Sequence, residues 1–319
     1  IPQKSTDFRG PRGWHVSSTH TTTFGTKVTI MITKPNVKIN LGLNVIRKRE
    51  DGFHDLETLF VPYFGISDTL EIIAGDDYSR TSAAIFGKYA PEMIAQGISE
   101  DGRLMITIAR AEGVDWDPLK DLCAKAYYIL AEDHQLPPVK IFLEKTSPVG
   151  AGLGGGSSDA AFALKMMNEL FALGLSEEQL ASYASRLGSD CAFFIYNRPM
   201  IGEGRGEVLT PYELEGFDFG PEGMVSSRYD LQVLTPEGVA VSTADAYRGI
   251  KPHLPEVPLR EALAKPVEQW QNVLFNDFEE TVFAKYPELA AIKKSLYDSG
   301  AVYACMSGSG SALFALYEK

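Results

Sequence analysis

Pro148-Val149-Gly150-Ala151-Gly152-Leu153-Gly154-Gly155-Gly156-Ser157-Ser158 lies near the middle of a chain of 319 residues. It separates an apolar, β-like run, Val139 to Leu143, from a helical pattern that runs from Asp159 to Ala172. Glycine reaches positive φ cheaply and puts no Cβ in a ligand's way, so this stretch exposes a row of backbone N–H groups. The helix after it begins with unpaired N–H groups and a partial positive charge. Together these features suit a phosphate cradle. A flexible linker is the other reading, yet linkers do not usually stand between a buried strand and an amphipathic helix. A Walker A loop does not fit, because no lysine follows Gly156. A dinucleotide fingerprint forced onto Gly150, Gly152 and Gly155 lacks its place at the start of a Rossmann domain.

Outward from the loop, Val37 to Val45 alternates with a period of two, which predicts a half-buried strand. Val37, Ile39, Leu41, Leu43 and Val45 face one way; Lys38, Asn40, Gly42 and Asn44 face the other. Arg47 to Gly52 reads as a turn. Leu56–Phe64 and Thr69–Ala74 read as strands, and Gly75–Gly102 as an irregular excursion. Leu119–His134 reads as a helix and Val139–Lys145 as the strand feeding the loop. Ser176-Glu177-Glu178-Gln179 has the form of a capping box opening a helix that Gly188 ends. Gly202–Gly206 reads as a hairpin turn and Leu231–Leu234 as a strand. Trp270–Lys285 and Pro287–Asp298 read as helices. Val302–Met306 and Ala312–Tyr317 read as strands of a βαβ-like tail, flanking Ser307-Gly308-Ser309-Gly310-Ser311. This order predicts an α+β protein with two lobes.

Composition narrows the function. Net charge is −12, and 45% of residues are apolar. An acidic chain argues against nucleic acid, which needs a basic footprint. It leaves room for anionic small molecules, since a local cradle can oppose the global field. No apolar run is long enough for a membrane span. Cys123, Cys191 and Cys305 have neither disulfide nor zinc spacing, and read as small buried residues in a reducing, cytoplasmic compartment. Ile1 to Lys27 shows no periodicity; residues 1–30 read as an extension without a part in the function, with the domain starting at Met31.

Three motifs now stand in one order: Pro35-Asn36-Val37-Lys38-Ile39-Asn40-Leu41, the glycine loop, and Ser307–Ser311. The set resembles the GHMP kinase superfamily. The resemblance spans residues 31–319. It implies a two-lobed fold: an N-terminal lobe like ribosomal protein S5 domain 2, residues 31–195, with a left-handed βαβ feature, and a ferredoxin-like C-terminal lobe, residues 196–319. Arg49-Glu50-Asp51-Gly52-Phe53-His54 and Gly188-Ser189-Asp190 sharpen the match to the branch acting on a cytidyl-diphosphate substrate in isoprenoid synthesis.

The resemblance implies roles residue by residue. Pro148, Val149, Gly150, Ala151, Gly152, Leu153, Gly154, Gly155, Gly156, Ser157 and Ser158 would wrap the phosphates of ATP, with a magnesium ion bridging them. Asp190 would take the proton from the substrate hydroxyl; read without the resemblance, it is a helix cap. Lys38 would stand near Asp190 and offset developing charge; read alone, it is a solvated lysine. Asn40 would bond the substrate. Phe53 and His54 would hold the cytosine, with Phe53 where the branch usually has tyrosine. Thr243 would touch the substrate, and Tyr247 would supply a second aromatic ring, or be a core tyrosine. Metal ligands and a homodimer stay open.

Overall fold

The computed structural model describes residues 19–21, 27–75, 85–220 and 223–319. Most of the N-terminal segment before Lys27, and residues 76–84 of the Gly75–Gly102 stretch, lie outside the described residues. Two compact units share the chain. The first takes the described residues up to Asn36, then Gly65–Ser147 and Gly155–Tyr196; the second takes Val37–Phe64, Pro148–Gly154 and Asn197–Lys319. Strands early in the sequence therefore belong with residues of the last third.

The first unit is built on a six-stranded sheet. From edge to edge it runs Thr19–Thr21, Lys27–Thr33, Thr69–Ala74, Val139–Lys145, Leu104–Arg110 and Ile94–Ile98. Leu104–Arg110 and Val139–Lys145 pair in parallel, Ile106 opposite Ile141. A parallel pair needs a crossover, and the helix Leu122–Ala131 supplies it, opened by Asp121 accepting from the Cys123 N–H at 2.8 Å. The other strand pairs are antiparallel. The sheet reaches into the segment read as an extension, where Thr19 pairs with Thr29 and Ile30 with Ile73. Ile94–Ile98 also gives order to part of the stretch read as irregular, held by its pairing to Leu104–Arg110.

Among the described residues of this unit, the helices Leu122–Ala131, Gly155–Leu170, Glu177–Leu187 and Cys191–Tyr196 pack together. The second starts four residues earlier than its apolar pattern indicates, inside the glycine run. First-turn N–H groups have no intrahelical partner in any helix, so glycine costs little there. Glu177–Leu187 opens with the capping box on Ser176 and Gln179. Gly188 ends it in extended backbone, φ 178. Its lack of a side chain serves a close approach instead, since a Cβ there would lie 3.3 Å from the Cys191 sulfur.

The second unit holds a four-stranded sheet in the order Val208–Pro211, Met200–Gly204, His54–Ser67, Asn36–Lys48. Its three-stranded sheet is antiparallel, with Leu313–Glu318 between Tyr229–Leu234 and Tyr303–Met306. The two C-terminal strands thus form a hairpin-like pair and not a βαβ tail, because only Ser307–Ala312 joins them. Asn36–Lys48 is buried on both faces from Asn36 to Val45, so the half-buried expectation fails. The predicted helix Trp270–Lys285 is broken into Val267–Trp270 and Phe278–Lys285. Between them the chain runs beside Leu43, whose N–H donates to Phe275 O at 2.8 Å and whose C=O accepts from Asp277 N at 2.9 Å. Leu43, Val45, Phe278, Val282, Leu289 and Leu313 share one core. All three cysteines are free and buried. Among the described residues no helix is long and apolar enough to cross a membrane.

Candidate active site

Lys38 sits in the middle of a strand whose both faces are covered, and is 3% exposed. An ammonium removed from water needs close partners. Its Nζ donates to Asn40 Oδ1 at 2.5 Å and to Gly152 O at 2.7 Å, and stands 5.6 Å from the centre of the Phe60 ring. Asn40, two residues along on the same face, donates through Nδ2 to Thr58 Oγ1 at 3.0 Å. Thr58 in turn donates to Gly42 O at 2.5 Å. The Lys38 N–H also holds Leu153 O at 2.9 Å. One strand therefore grips the glycine loop twice, by side chain and by backbone.

The loop is gripped from its other side by Ser307–Ser311. Gly152 has φ 74, and a Cβ on it would fall 2.1 Å from Ser307 O. Only glycine serves both constraints. Ser307 Oγ donates to Gly152 O at 3.1 Å, and the Ala312 N–H donates to Ala151 O at 3.1 Å. Asn276, in the break between the two helices, donates through Nδ2 to Met306 O at 2.7 Å and to Gly308 O at 2.8 Å. Thr243 Oγ1 lies 3.1 Å from Ser309 Oγ. Ser307–Ser311 is thus a buttress; Asn276 gave no signal in the sequence beyond a polar residue in an apolar helical pattern.

In the first unit, Gly155, Gly156, Ser157 and Ser158 form the opening turn of the helix Gly155–Leu170. Gly156 is exposed. Ser158 Oγ is buried and has no hydrogen-bond partner among the described residues. Asp190 immediately precedes the helix Cys191–Tyr196. That corner lies against the same opening turn, because a Cβ on Gly188 would stand 4.0 Å from Ser157 Oγ. Burial pushes the Cys191 thiol up to about 12, with a hydrogen bond to Ser157 pulling the other way. The cysteine is an inert packing residue beside the aspartate.

Beneath the turn lies a group of charges that the sequence reading missed. Lys145 Nζ is 2.6 Å from Asp68 Oδ2, 2.6 Å from Asp159 Oδ2 and 3.0 Å from Ser147 Oγ. Asp68 Oδ1 accepts from the N–H groups of Thr146 and Ser147, both at 2.6 Å. Burial works against the Lys145 charge, but the two carboxylates outweigh it and hold the ammonium above its ordinary range. Burial drives Asp159 well above the usual carboxylate range, against the pull of Lys145. Burial also opposes ionisation of Asp68, yet Lys145 and the Ser147 hydrogen bonds carry it below that range. The only sequence clue is a strand whose last residue is charged.

The predicted base-binding residues lie in the second unit. Phe53 is 53% exposed, at the end of a turn where Gly52 has φ 85. The Arg205 guanidinium lies over its ring at 4.9 Å. Arg205 comes from the Met200–Gly204/Val208–Pro211 hairpin, which the sequence had offered only as a turn. His54 stacks on Tyr247, centroids 4.9 Å apart and planes at 25°. Tyr247 meets Phe278 edge-on at 4.7 Å. Burial, with Lys48 nearby, holds the His54 imidazole below its ordinary value. Tyr247 is therefore half-buried and part of a ring stack with His54, a pairing the sequence reading did not contain.

Comparison with known proteins bears on the whole assembly. Residues 121–198 match the GHMP kinases N terminal domain, and residues 259–319 the GHMP kinases C terminal domain. A 4-diphosphocytidyl-2-C-methyl-D-erythritol kinase of Bacteroides fragilis is 45% identical over 287 residues, covering 90% of this chain and 92% of its own. This chain belongs to the 4-diphosphocytidyl-2-C-methyl-D-erythritol kinase family of GHMP kinases. The family member from Bacteroides thetaiotaomicron is 44% identical, with 90% of this chain and 92% of its own covered. A crystal structure of a 4-(cytidine 5'-diphospho)-2C-methyl-D-erythritol kinase superposes with a TM-score of 0.65 at 29% identity, covering 90% of each chain. A mevalonate kinase structure shares the fold, TM-score 0.57 at 12% identity.

Proposed function

We propose that this chain is an ATP-dependent kinase that transfers the γ-phosphoryl group to the 2-hydroxyl of 4-diphosphocytidyl-2-C-methyl-D-erythritol. The observation that carries the reading is the buried Lys38 ammonium, 2.7 Å from the Gly152 carbonyl of the glycine loop. The match to the family over 90% of this chain supports it.

Phosphoryl transfer asks a protein mainly for positioning and charge stabilisation. Residues 148–158 cradle the triphosphate with backbone N–H groups and the helix start. The loop fits such a ligand: Gly150, at φ 73, has no atom within 4 Å of where a Cβ would be, and Ser158 Oγ lacks a protein partner among the described residues. Magnesium, when bound, neutralises phosphate charge. Among the described residues no group of three His, Cys, Asp or Glu could hold a metal ion. Ser157 and Ser158 hydroxyls are the donors we assign to it beside the phosphates, as suits a cation that keeps much of its own hydration. Asp190 accepts the proton of the reacting hydroxyl. Lys38 offsets negative charge on the reacting groups, and Asn40 fixes its ammonium and bonds the substrate. Phe53, His54 and Tyr247 hold the cytosine, and Thr243 contacts the substrate. In this reading residues 31–195 carry nucleotide binding and catalysis, residues 196–319 form the C-terminal lobe, and residues 1–30 take no part. The partners are small molecules in the cytoplasm, and a homodimer is tested by sedimentation.

The test is ADP release with the cytidyl substrate, mevalonate and galactose side by side. The cytidyl substrate is expected to be strongly preferred, and preference for either other alcohol overturns the reading. Asp190→Asn and Lys38→Met should each lower kcat by roughly 100-fold or more, the usual weight of a positioned base or charge donor. Variants that turn over like the parent remove those two residues from the mechanism.

A further inference from the structure

The Lys145 cluster has no part in the reaction as proposed, yet its members bracket the glycine loop. Lys145 ends the strand before the loop, and Ser147 is the last residue before Pro148. Asp159 lies on the first turns of the helix after the loop. Asp68 comes from the turn between His54–Ser67 and Thr69–Ala74. All four are buried: Lys145 6%, Ser147 3%, Asp68 1% and Asp159 1% exposed. Asp68 alone takes the two consecutive N–H groups of Thr146 and Ser147, the Ser147 hydroxyl at 2.6 Å and the Lys145 ammonium. The packing leaves no slack. A Cβ on Gly155 would fall 2.3 Å from Ser147 Oγ and 3.1 Å from Lys145 Nζ. The chain therefore leaves this cluster at Ser147 and returns to it at Gly155.

We propose that Lys145 is a positioning residue for the nucleotide loop: its ammonium ties the strand end before the loop to the helix turn after it, and so sets affinity for ATP. The proposal rests on reading the loop as the nucleotide cradle. A loop with both ends fixed has less conformational freedom to lose when a ligand binds, and that difference appears directly in affinity. A buried ion cluster is weak evidence for stability as such, since well-packed apolar residues often serve as well. Its value here lies in fixing geometry. Asp159 is the helix side of the tie: its Oδ2 takes the Lys145 bond, and Oδ1 has no partner among the described residues.

The experiment is equilibrium binding of a fluorescent ATP analogue with magnesium to the full chain, alongside thermal melts and steady-state kinetics. Lys145→Met is expected to weaken binding by about tenfold, and to raise KM for ATP while KM for the cytidyl substrate stays within twofold. Ser147→Ala removes one link without removing charge, and is expected to weaken ATP binding by about threefold even if Lys145→Met does not fold. Asp159→Asn keeps an oxygen for Lys145 and is expected to bind ATP like the parent. A parent chain that does not bind the analogue sinks the nucleotide reading itself. A parent that binds, with Lys145→Met and Ser147→Ala binding equally well, overturns the proposal. So does a variant that loses only active fraction, with both KM values unchanged.

Discussion

Gly150–Ser158 and Ser307–Ser311 are both made of little but glycine and serine, and they put their polar groups to different use. In the second segment those groups are consumed by the protein. Ser307 Oγ donates to Gly152 O and Ser311 Oγ to Val239 O, while Asn276 takes the carbonyls of Met306 and Gly308. In the first, Gly150 and Gly156 are exposed, and Ser158 Oγ is enclosed without a partner among the described residues. Glycine content licenses tight backbone paths in both. What separates a ligand loop from a buttress is whether the donors and acceptors are already satisfied.

The contrast is open to attack where the two segments touch. Gly152→Ala should have the largest effect, because its Cβ meets backbone 2.1 Å away and its φ of 74 is left-handed. We expect a loss of about 3 kcal/mol in denaturant melts from overpacking and strain, and roughly 100-fold slower turnover from loop displacement. A variant as stable as the parent would mean that the segments are not locked. Asn276→Ala leaves two buried carbonyls short of a donor, and should cost about 2 kcal/mol in the same melts. Turnover that survives this change would separate buttress from chemistry. Next comes a paired test. Ser311→Ala should cost about 1 kcal/mol of stability with little change in KM for ATP. Ser158→Ala should leave stability nearly unchanged and raise that KM severalfold, since its hydroxyl has no bond to lose among the described residues. If the two serines behave alike, the comparison collapses.

The smallest expected effect concerns pH. The His54 imidazole is held below its ordinary value of 6.5 by burial and by Lys48. It is therefore neutral at pH 7 and charges only as pH falls through that lowered value. KM for the cytidyl substrate should be flat above neutrality and rise only in the acid range. His54→Gln should flatten the acid limb; a limb that persists assigns it to another group.

Much of the architecture was readable. Val139–Lys145 and Pro287–Asp298 begin and end where the pattern placed them, because a turn signal or a proline stands at each border. The capping box at Ser176 is present in full. The errors share one cause, which is contact with distant residues. Alternation in Val37–Val45 indicated one wet face, but Lys38 and Asn40 are buried by the glycine loop and Thr58. The helical pattern of Trp270–Lys285 continues through Leu274–Asp277, where pairing with Leu43 overrides it. Motif order singles out Lys38, Asn40, Asp190 and the loop as candidates. It does not single out the Lys145 cluster, Asn276 or Arg205, since each acts through partners far away in sequence.

The division of the chain between units has a further consequence, for synthesis. Leu43 and Val45 emerge from the ribosome early, but the core they join includes Leu313, in the strand Leu313–Glu318 made about 270 residues later. Met200–Gly204, which pairs with His54–Ser67, is also made long after its partner. The core of the second unit therefore cannot close around Leu43 and Val45 until Leu313–Glu318 has been made. Such a chain is at greatest risk of aggregation while nascent, and loss of the strand Leu313–Glu318 should harm folding far more than its length suggests.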